Sequence, residues 1–229
     1  MQKLALALAT LAFAFSVHAA ELKPMSAVYS VSRDGKAVGD ATYTLKSNND
    51  GTWTLTSITH GTSGMARMLG LDVREESTFR WKDGRAEGVR YDYRQDAAIK
   101  HKQRQIDFDW STKQARVQDG KDAFTYAISP GTMDRSSIAL VLGEALASGA
   151  RDVTVPVAVK DHIEQQHFVA QAEESIQVPA GNFKAVKFER TDMPGKARSW
   201  YAPSVTTLPL RVEQVSSDGS NIVLELKQR

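Results

Sequence analysis

The sequence contains no cysteine among its 229 residues. That absence excludes a disulfide framework, a thiolate metal site and a cysteine nucleophile. Such a chain must be held by a hydrophobic core and hydrogen-bond ladders. An excess of charge is missing too: 29 Lys and Arg stand against 27 Asp and Glu, a formal +2. A nucleic-acid binder needs a dominant basic face, so nucleic acid is set aside as the main partner. Past the first twenty residues, no stretch nears the roughly 18 apolar residues that read as a membrane-spanning helix. No transmembrane span is expected in the mature chain.

The one long apolar run is at the start. Lys3 supplies a positive end, Leu4–Phe15 an apolar stretch, and Val17-His18-Ala19 a small-residue cleavage site before Ala20 or Glu21. These are the three parts of a secretory signal peptide. Residues 1–19 are therefore expected to be removed, leaving 20–229 as a single exported domain, soluble in the periplasm if the cell is Gram-negative. With no cysteine after the cleavage region, a lipid anchor there is excluded.

What the mature chain has in abundance is alternation. Met25–Arg33, Lys36–Lys46 and Thr52–Thr59 switch between apolar and polar residues across the Asp34-Gly35 and Asn48–Gly51 turns. The same period-2 pattern returns in Val73–Lys82, Arg85–Arg94, Lys100–Trp110, Gln114–Gln118 and Ala123–Ile128. After a gap it resumes in Asp152–Val159, Ile163–Val178, Phe183–Thr191, Ala197–Ala202, Leu208–Ser216 and Ser220–Lys227. Strands at this spacing with turn residues between them indicate an antiparallel sandwich or barrel. The shift of period near Phe168 predicts a bend or bulge in its strand.

The gap holds the only strong helical signal, Met133–Gly149. Asp134 stands at an N-cap position, Gly149 at a left-handed C-cap position, and Met133 with Ile138 has the spacing of a hydrophobic staple. Ile138, Val141, Leu142, Ala145 and Leu146 form an apolar stripe. Leu140, Gly143 and Ala147 make the opposite side nearly apolar as well, which leaves Ser137, Glu144 and Ser148 as a narrow polar edge. A helix apolar almost all round needs cover on more than one side. The expectation is a mainly β fold: a curved antiparallel sheet or incomplete barrel of about 11–12 strands, with one helix over about 134–148 in its concave face. Gly61–Gly70, where glycines surround Met65, Met68 and Leu69, reads as a mobile loop or a single helical turn.

Catalytic constellations are scarce. Gly61-Thr62-Ser63-Gly64 is one residue short of a nucleophile elbow, and no helix is predicted to follow it. His60, His101, His162 and His167 lack the spacing of a metal site and read as surface or strand-end residues. Glu75-Glu76 and Glu173-Glu174 are strand neighbours on opposite faces, read as solvated. Outward charges such as Glu75, Arg90 and Asp92 argue against a lipid-facing barrel. No glycine-rich loop opens a helix, so no phosphate cradle is visible. No enzyme, cofactor or metal is expected.

Four segments of the chain carry a family resemblance: Glu174–Ala185 (ESIQVPAGNFKA), Trp200–Pro203 (WYAP), Leu208–Glu213 (LPLRVE) and Tyr29–Gly39 (YSVSRDGKAVG). In these the mature chain resembles the domain-of-unknown-function 3108 family of exported bacterial proteins. The resemblance implies a periplasmic, mostly β protein with no assigned activity. At fold level the chain is also similar to the incomplete barrels with an internal helix of periplasmic lipoprotein carriers, and fold alone does not license function.

Two functional readings follow. In the first, Tyr29, Tyr43, Trp53, Phe79, Trp81, Tyr91, Ile138 and Leu142 line a cavity for an amphipathic small molecule or lipid, because curved sheets around one short helix leave apolar volume. Lys100, Lys102 and Arg104 share a strand face and would hold its head group, with Met65 and Met68 as an adaptable lid. In the second, the helix fills the sheet completely. A strand edge or the Gly61–Gly70 loop then meets another envelope protein, and the basic strand is only a charged outer face or a lysine-protected edge.

Overall fold

The computed structural model describes residues 22–82 and 85–229; the leader at 1–19 and the Asp83-Gly84 turn lie outside the described residues. The fold is one antiparallel sheet of fourteen strands. Its first half is a meander of β1 (Met25–Arg33), β2 (Lys36–Ser47), β3 (Thr52–Gly61), β4 (Asp72–Lys82), β5 (Arg85–Ala97), β6 (Lys100–Asp109), β7 (Gln114–Asp119) and β8 (Asp122–Ala127). Its second half runs through β9 (Asp152–Ala158), β10 (Ile163–Val178), β11 (Gly181–Arg190), β12 (Ala197–Ala202), β13 (Thr206–Val215) and β14 (Asn221–Gln228). The halves join where β1 pairs with β14, so the spatial order is β8 to β1, then β14 back to β9. The count exceeds the expected 11–12 because every alternating segment finds a partner, including the six-residue β7 and β8. The irregularity foreseen near Phe168 is a register shift between Ala170 and Glu173.

The sheet curls until its two edges meet, but no ladder closes the seam. Tyr126 on β8 donates to the Val159 carbonyl at 2.6 Å, and Lys160 reaches Asp122 at 2.8 Å and Asp119 at 3.4 Å. Ala158 and Ile163 pack with Tyr91, Ile106 and Val117 from the far half of the sheet. The segment before the helix completes the seam. Met133 bonds β9 through Pro156 O at 3.0 Å and Ala158 N at 2.8 Å, while Thr132 accepts from Gly88 N on β5 at 3.0 Å. The open side of β9 is thus occupied by Met133, which protects that edge from pairing with another chain, while β8 is tied to the seam through side chains.

The connection between the edges passes through the concave side, and this is why a helix lies inside. It is α2 (Ile138–Ala147), shorter than expected because Arg135–Ser137 form a turn before regular helix begins. Asp134 caps that turn and not α2 itself, accepting from Ser136 N at 2.9 Å and Ser137 N at 3.2 Å. At the other end Gly149 is left-handed (φ 91°), with Gly149 N bonded to Leu146 O and Ala150 N to Ala145 O. Those two bonds are the Schellman arrangement that releases a chain from a helix.

Burial of α2 follows the all-round apolar pattern with one correction. Leu140 joins the main core, and Leu142 packs against Phe168, Phe188 and Tyr201. The supposed polar edge is not solvated: Ser137 and Glu144 are buried, and only Ser148 is exposed along with Ala147. Gly143 faces β13 so closely that a Cβ there would lie 1.8 Å from the Thr207 carbonyl oxygen. The missing side chain is what lets helix and strand touch. Glu144 sits beside this contact, where burial raises its pKa and Thr207 partly offsets the effect.

A second helix, the single turn α1 (Gly64–Met68), forms in the Gly61–Gly70 segment. Ser63 Oγ bonds the Ala37 carbonyl, Thr62 N bonds Val38 O at 3.0 Å, and Ala98 N bonds Leu69 O at 2.9 Å. The turn is therefore fastened to the β1–β2 hairpin on one side and the β5–β6 turn on the other. Among the described residues no helix is long and apolar enough to cross a membrane.

Candidate functional site

Period 2 places Leu45, Leu55 and Phe79 on the inner face toward one end of the barrel, where they form the filled core with Met133, Leu140 and Val157. The other end, where α1 sits, is hollow at two depths. At the mouth a pocket of about 460 Å³ is lined by Val31, Val38, Leu69, Leu71, Ala97 and Ile222, with Arg33, His60 and Lys100 also on its wall. Further along the inner face, a chamber of about 300 Å³ is bounded by Tyr43, Glu75, Arg135, Leu142, Phe168 and Tyr201.

The chamber wall carries a network that the alternation pattern already contained. Glu75 was read as outward and solvated, yet it shares the parity of Val73, Phe79 and Trp81 and points inward. Arg135, from the turn before α2, donates through Nη2 to Glu75 Oε1 at 2.9 Å and through Nε to Tyr91 Oη at 2.9 Å. Tyr91 Oη donates in turn to Glu75 Oε2 at 2.7 Å. The guanidinium lies 4.6 Å from the Tyr93 ring centre and keeps 48% of its side-chain surface accessible, against 18% for Glu75. An inward charge with so much accessible surface faces a hollow. Burial works to lower the Arg135 pKa, but Glu75 and Tyr91 outweigh it and the group stays cationic. Burial, reinforced by Glu75, raises Tyr91 far above the usual phenol range and pushes Tyr43 up to about 12, so both remain protonated donors.

Beneath this pair Asp134 is fully buried, accepting from the Ser77 hydroxyl and from the Ser136 and Ser137 amides. Burial pushes its pKa up to about 6, although those three bonds pull the other way. Ser77 is itself completely buried on the inner face of β4. Asp134 and Glu75 thus pin the entry to α2 onto the same strand.

The expected site residues divide between these places. Tyr43, Ile138 and Leu142 line the chamber. Tyr29, Phe79 and Tyr91 are packed out of reach, with Tyr29 Oη bonded to Pro209 O at 2.8 Å. Trp53 and Trp81 are half-buried against the core. Lys100, Lys102 and Arg104 do not act as one face: Lys100 lines the mouth, whereas Lys102 and Arg104 line a polar cleft with Tyr93 and Arg135. Arg104 is also committed to Asp119 through two contacts of 3.2 Å. Met65 lines the mouth pocket and Met68 does not. Val31, Val38, Leu71, Ala97 and Ile222 were overlooked as site residues because nothing in alternation separates a strand end that packs from one that rims a hollow.

No group of three or more His, Asp or Glu side chains converges as a metal site among the described residues. The fold and its hollow end define a class, the incomplete antiparallel barrel filled at one end by an internal helix. The chain belongs to the family described as "Protein of unknown function (DUF3108)", whose model matches residues 28–227. No curated protein matches it. Among solved structures it is similar to a beta-barrel-like protein of domain of unknown function DUF1849 from Brucella abortus. That likeness has a TM-score of 0.54 at 11% identity and covers 89% of this chain and 95% of that one, which establishes the fold alone.

Proposed function

We propose that the protein is an exported, non-enzymatic binding protein of the periplasm that takes an amphipathic molecule into the mouth of its barrel. The carrying observation is the pocket of about 460 Å³ walled by aliphatic side chains with Lys100 beside them. That volume falls within the roughly 300–1,000 Å³ of small-molecule sites, which are mostly apolar with a few placed polar groups. The apolar part of the ligand lies against Val31, Val38, Leu71 and Ile222, and its head meets Lys100. A barrel filled from end to end would favour a purely structural role; this one is filled at only one end.

Uptake of the apolar fluorophore N-phenyl-1-naphthylamine tests the reading. The wild-type protein should take it up, and Ala97→Phe, which puts a ring into the mouth, should weaken uptake by on the order of tenfold. Native mass spectrometry of gently purified protein should show an added mass. Bare protein together with no uptake of the fluorophore would end the proposal. Export has its own check: the intact mass of protein from a periplasmic extract should correspond to a chain starting at Ala20 or Glu21. An uncleaved chain in the cytoplasm would contradict it.

A further inference from the structure

The mouth pocket does not stop at the protein surface. Met65 and Ile99 line it and are also 61% and 83% accessible, and Met68 beside them on α1 is 70% accessible. They are three of the four large apolar side chains left exposed among the described residues. Two separate segments bring them together, α1 and the β5–β6 turn, which are tied by the bond from Ala98 N to Leu69 O at 2.9 Å. The apolar surface thus runs unbroken from solvent into the hollow.

Charge without an ion-pair partner around these tips is mostly positive. Several ionic groups at this end cancel in pairs: Arg33 with Asp218, Arg74 with Glu76 at 2.7 Å, and Arg94 with Asp96 at 2.5 Å. Lys36, Arg67, Lys100 and Lys102 enter no ion pair among the described residues, and all four are exposed. Lys36 adjoins Ala37, whose carbonyl holds Ser63, and Arg67 is on α1 itself. Against these four stand Asp34, which accepts from Asn221 N at 2.8 Å, and Asp72, which meets the His60 ring at 2.9 Å. Apolar tips ringed by free cations match the boundary of a bilayer with anionic headgroups, where side chains such as Met enter the acyl region and Lys and Arg meet phosphate.

Resting on the binding reading above, we propose that this end of the barrel docks on an anionic lipid surface, so that a lipid-like molecule passes between bilayer and pocket without crossing water. Met65, Met68 and Ile99 enter the headgroup boundary, and Lys36, Arg67, Lys100 and Lys102 contact the phosphates. Co-sedimentation with phosphatidylcholine vesicles, with and without phosphatidylglycerol, tests it. The wild-type protein should bind the mixed vesicles more tightly, and less so as salt is raised. Replacing both tips outside the pocket walls or at their rim, Met68→Ser with Ile99→Ser, should weaken binding by on the order of a hundredfold. Lys100→Gln with Lys102→Gln should weaken binding to the mixed vesicles by on the order of thirtyfold and leave neutral ones unaffected. Wild-type protein that stays in solution, or that associates through this end with a protein while ignoring vesicles, overturns the proposal. So does a tip variant that binds as the wild type does. Fluorophore uptake without vesicles reads the pocket alone: uptake with no vesicle binding refutes docking only, and docking with no uptake refutes the pocket only.

Discussion

Gly143→Ala should destabilise the protein by about 3 kcal/mol or more, a fall in melting temperature of about 10 °C for a chain of this size. Helix propensity alone predicts the opposite sign, because alanine is favoured over glycine within a helix by about 1 kcal/mol. Geometry decides between them. The new methyl group would sit 1.8 Å from the Thr207 carbonyl oxygen and 2.9 Å from its carbon. Backbone cannot swing aside as a flexible side chain can, so α2 must lift from β13. Lifting it pulls Leu140 out of the main core and Leu142 away from Phe168, Phe188 and Tyr201. Ala147→Gly, at an exposed position of the same helix, should cost only about 1 kcal/mol. Urea denaturation of the two variants beside the wild type measures the contrast. A Gly143→Ala protein as stable as its parent would mean that α2 is not seated on β13.

Asp134 should show a sharp difference between two substitutions. Alanine there strands the Ser77 hydroxyl and the Ser136 and Ser137 amides, three donors that now share one carboxylate. Each buried donor left unpaired costs about 1–3 kcal/mol, so a gross loss of about 3–9 kcal/mol is expected. Asparagine keeps an acceptor for the amides, and its NH₂ can donate to Ser77. The acid itself carries a penalty that asparagine lacks. Its pKa is raised from 3.8 to about 6 in the folded protein, mainly by burial. The native state therefore holds this proton more tightly than the unfolded chain does. Stability falls as pH rises through the interval from 3.8 to about 6 and stays lower above it. The penalty at neutral pH is on the order of 3 kcal/mol. Asp134→Asn should flatten that part of the stability profile and match or exceed the wild type at neutral pH, while Asp134→Ala falls well below both. Parallel pH profiles for wild type and Asp134→Asn would refute this account.

The sheet was readable because an inner face that must be apolar writes itself into every second residue. Tyr29, Tyr43, Leu55 and Phe79 all follow that rule, as do the two edge strands. The helix was readable for a related reason: both of its flanks avoid water, and Leu140 and Leu142 are buried on different sides of it. Glu75 and Ser77 also obeyed the alternation, between Val73 and Phe79, and their parity was enough to send them inside. What could not be read was their partner, since Arg135 and Asp134 lie some sixty residues on and meet β4 only through the curl of the sheet. Ser137 and Glu144 misled because polarity on a helix usually marks its wet side, and here the strands surround it. The mouth pocket was half visible. Met65 and Lys100 stood out by chemistry, but Val31, Ala97 and Ile222 look like any other inward residues. Whether a strand end is packed or hollow depends on what lies across the barrel.

The pairing of β1 with β14 also bears on how the chain comes together. Seven strands follow β1 as consecutive neighbours, all but β3 and β4 joined by short turns, and can zip up locally. The partner for the other side of β1 is β14, nearly two hundred residues on, with Tyr29 opposite Leu226. Pairing at such sequence separation is slow to form and leaves an unpaired strand waiting. Until β1 and β14 meet, the barrel is two ribbons with its future centre line still an open border.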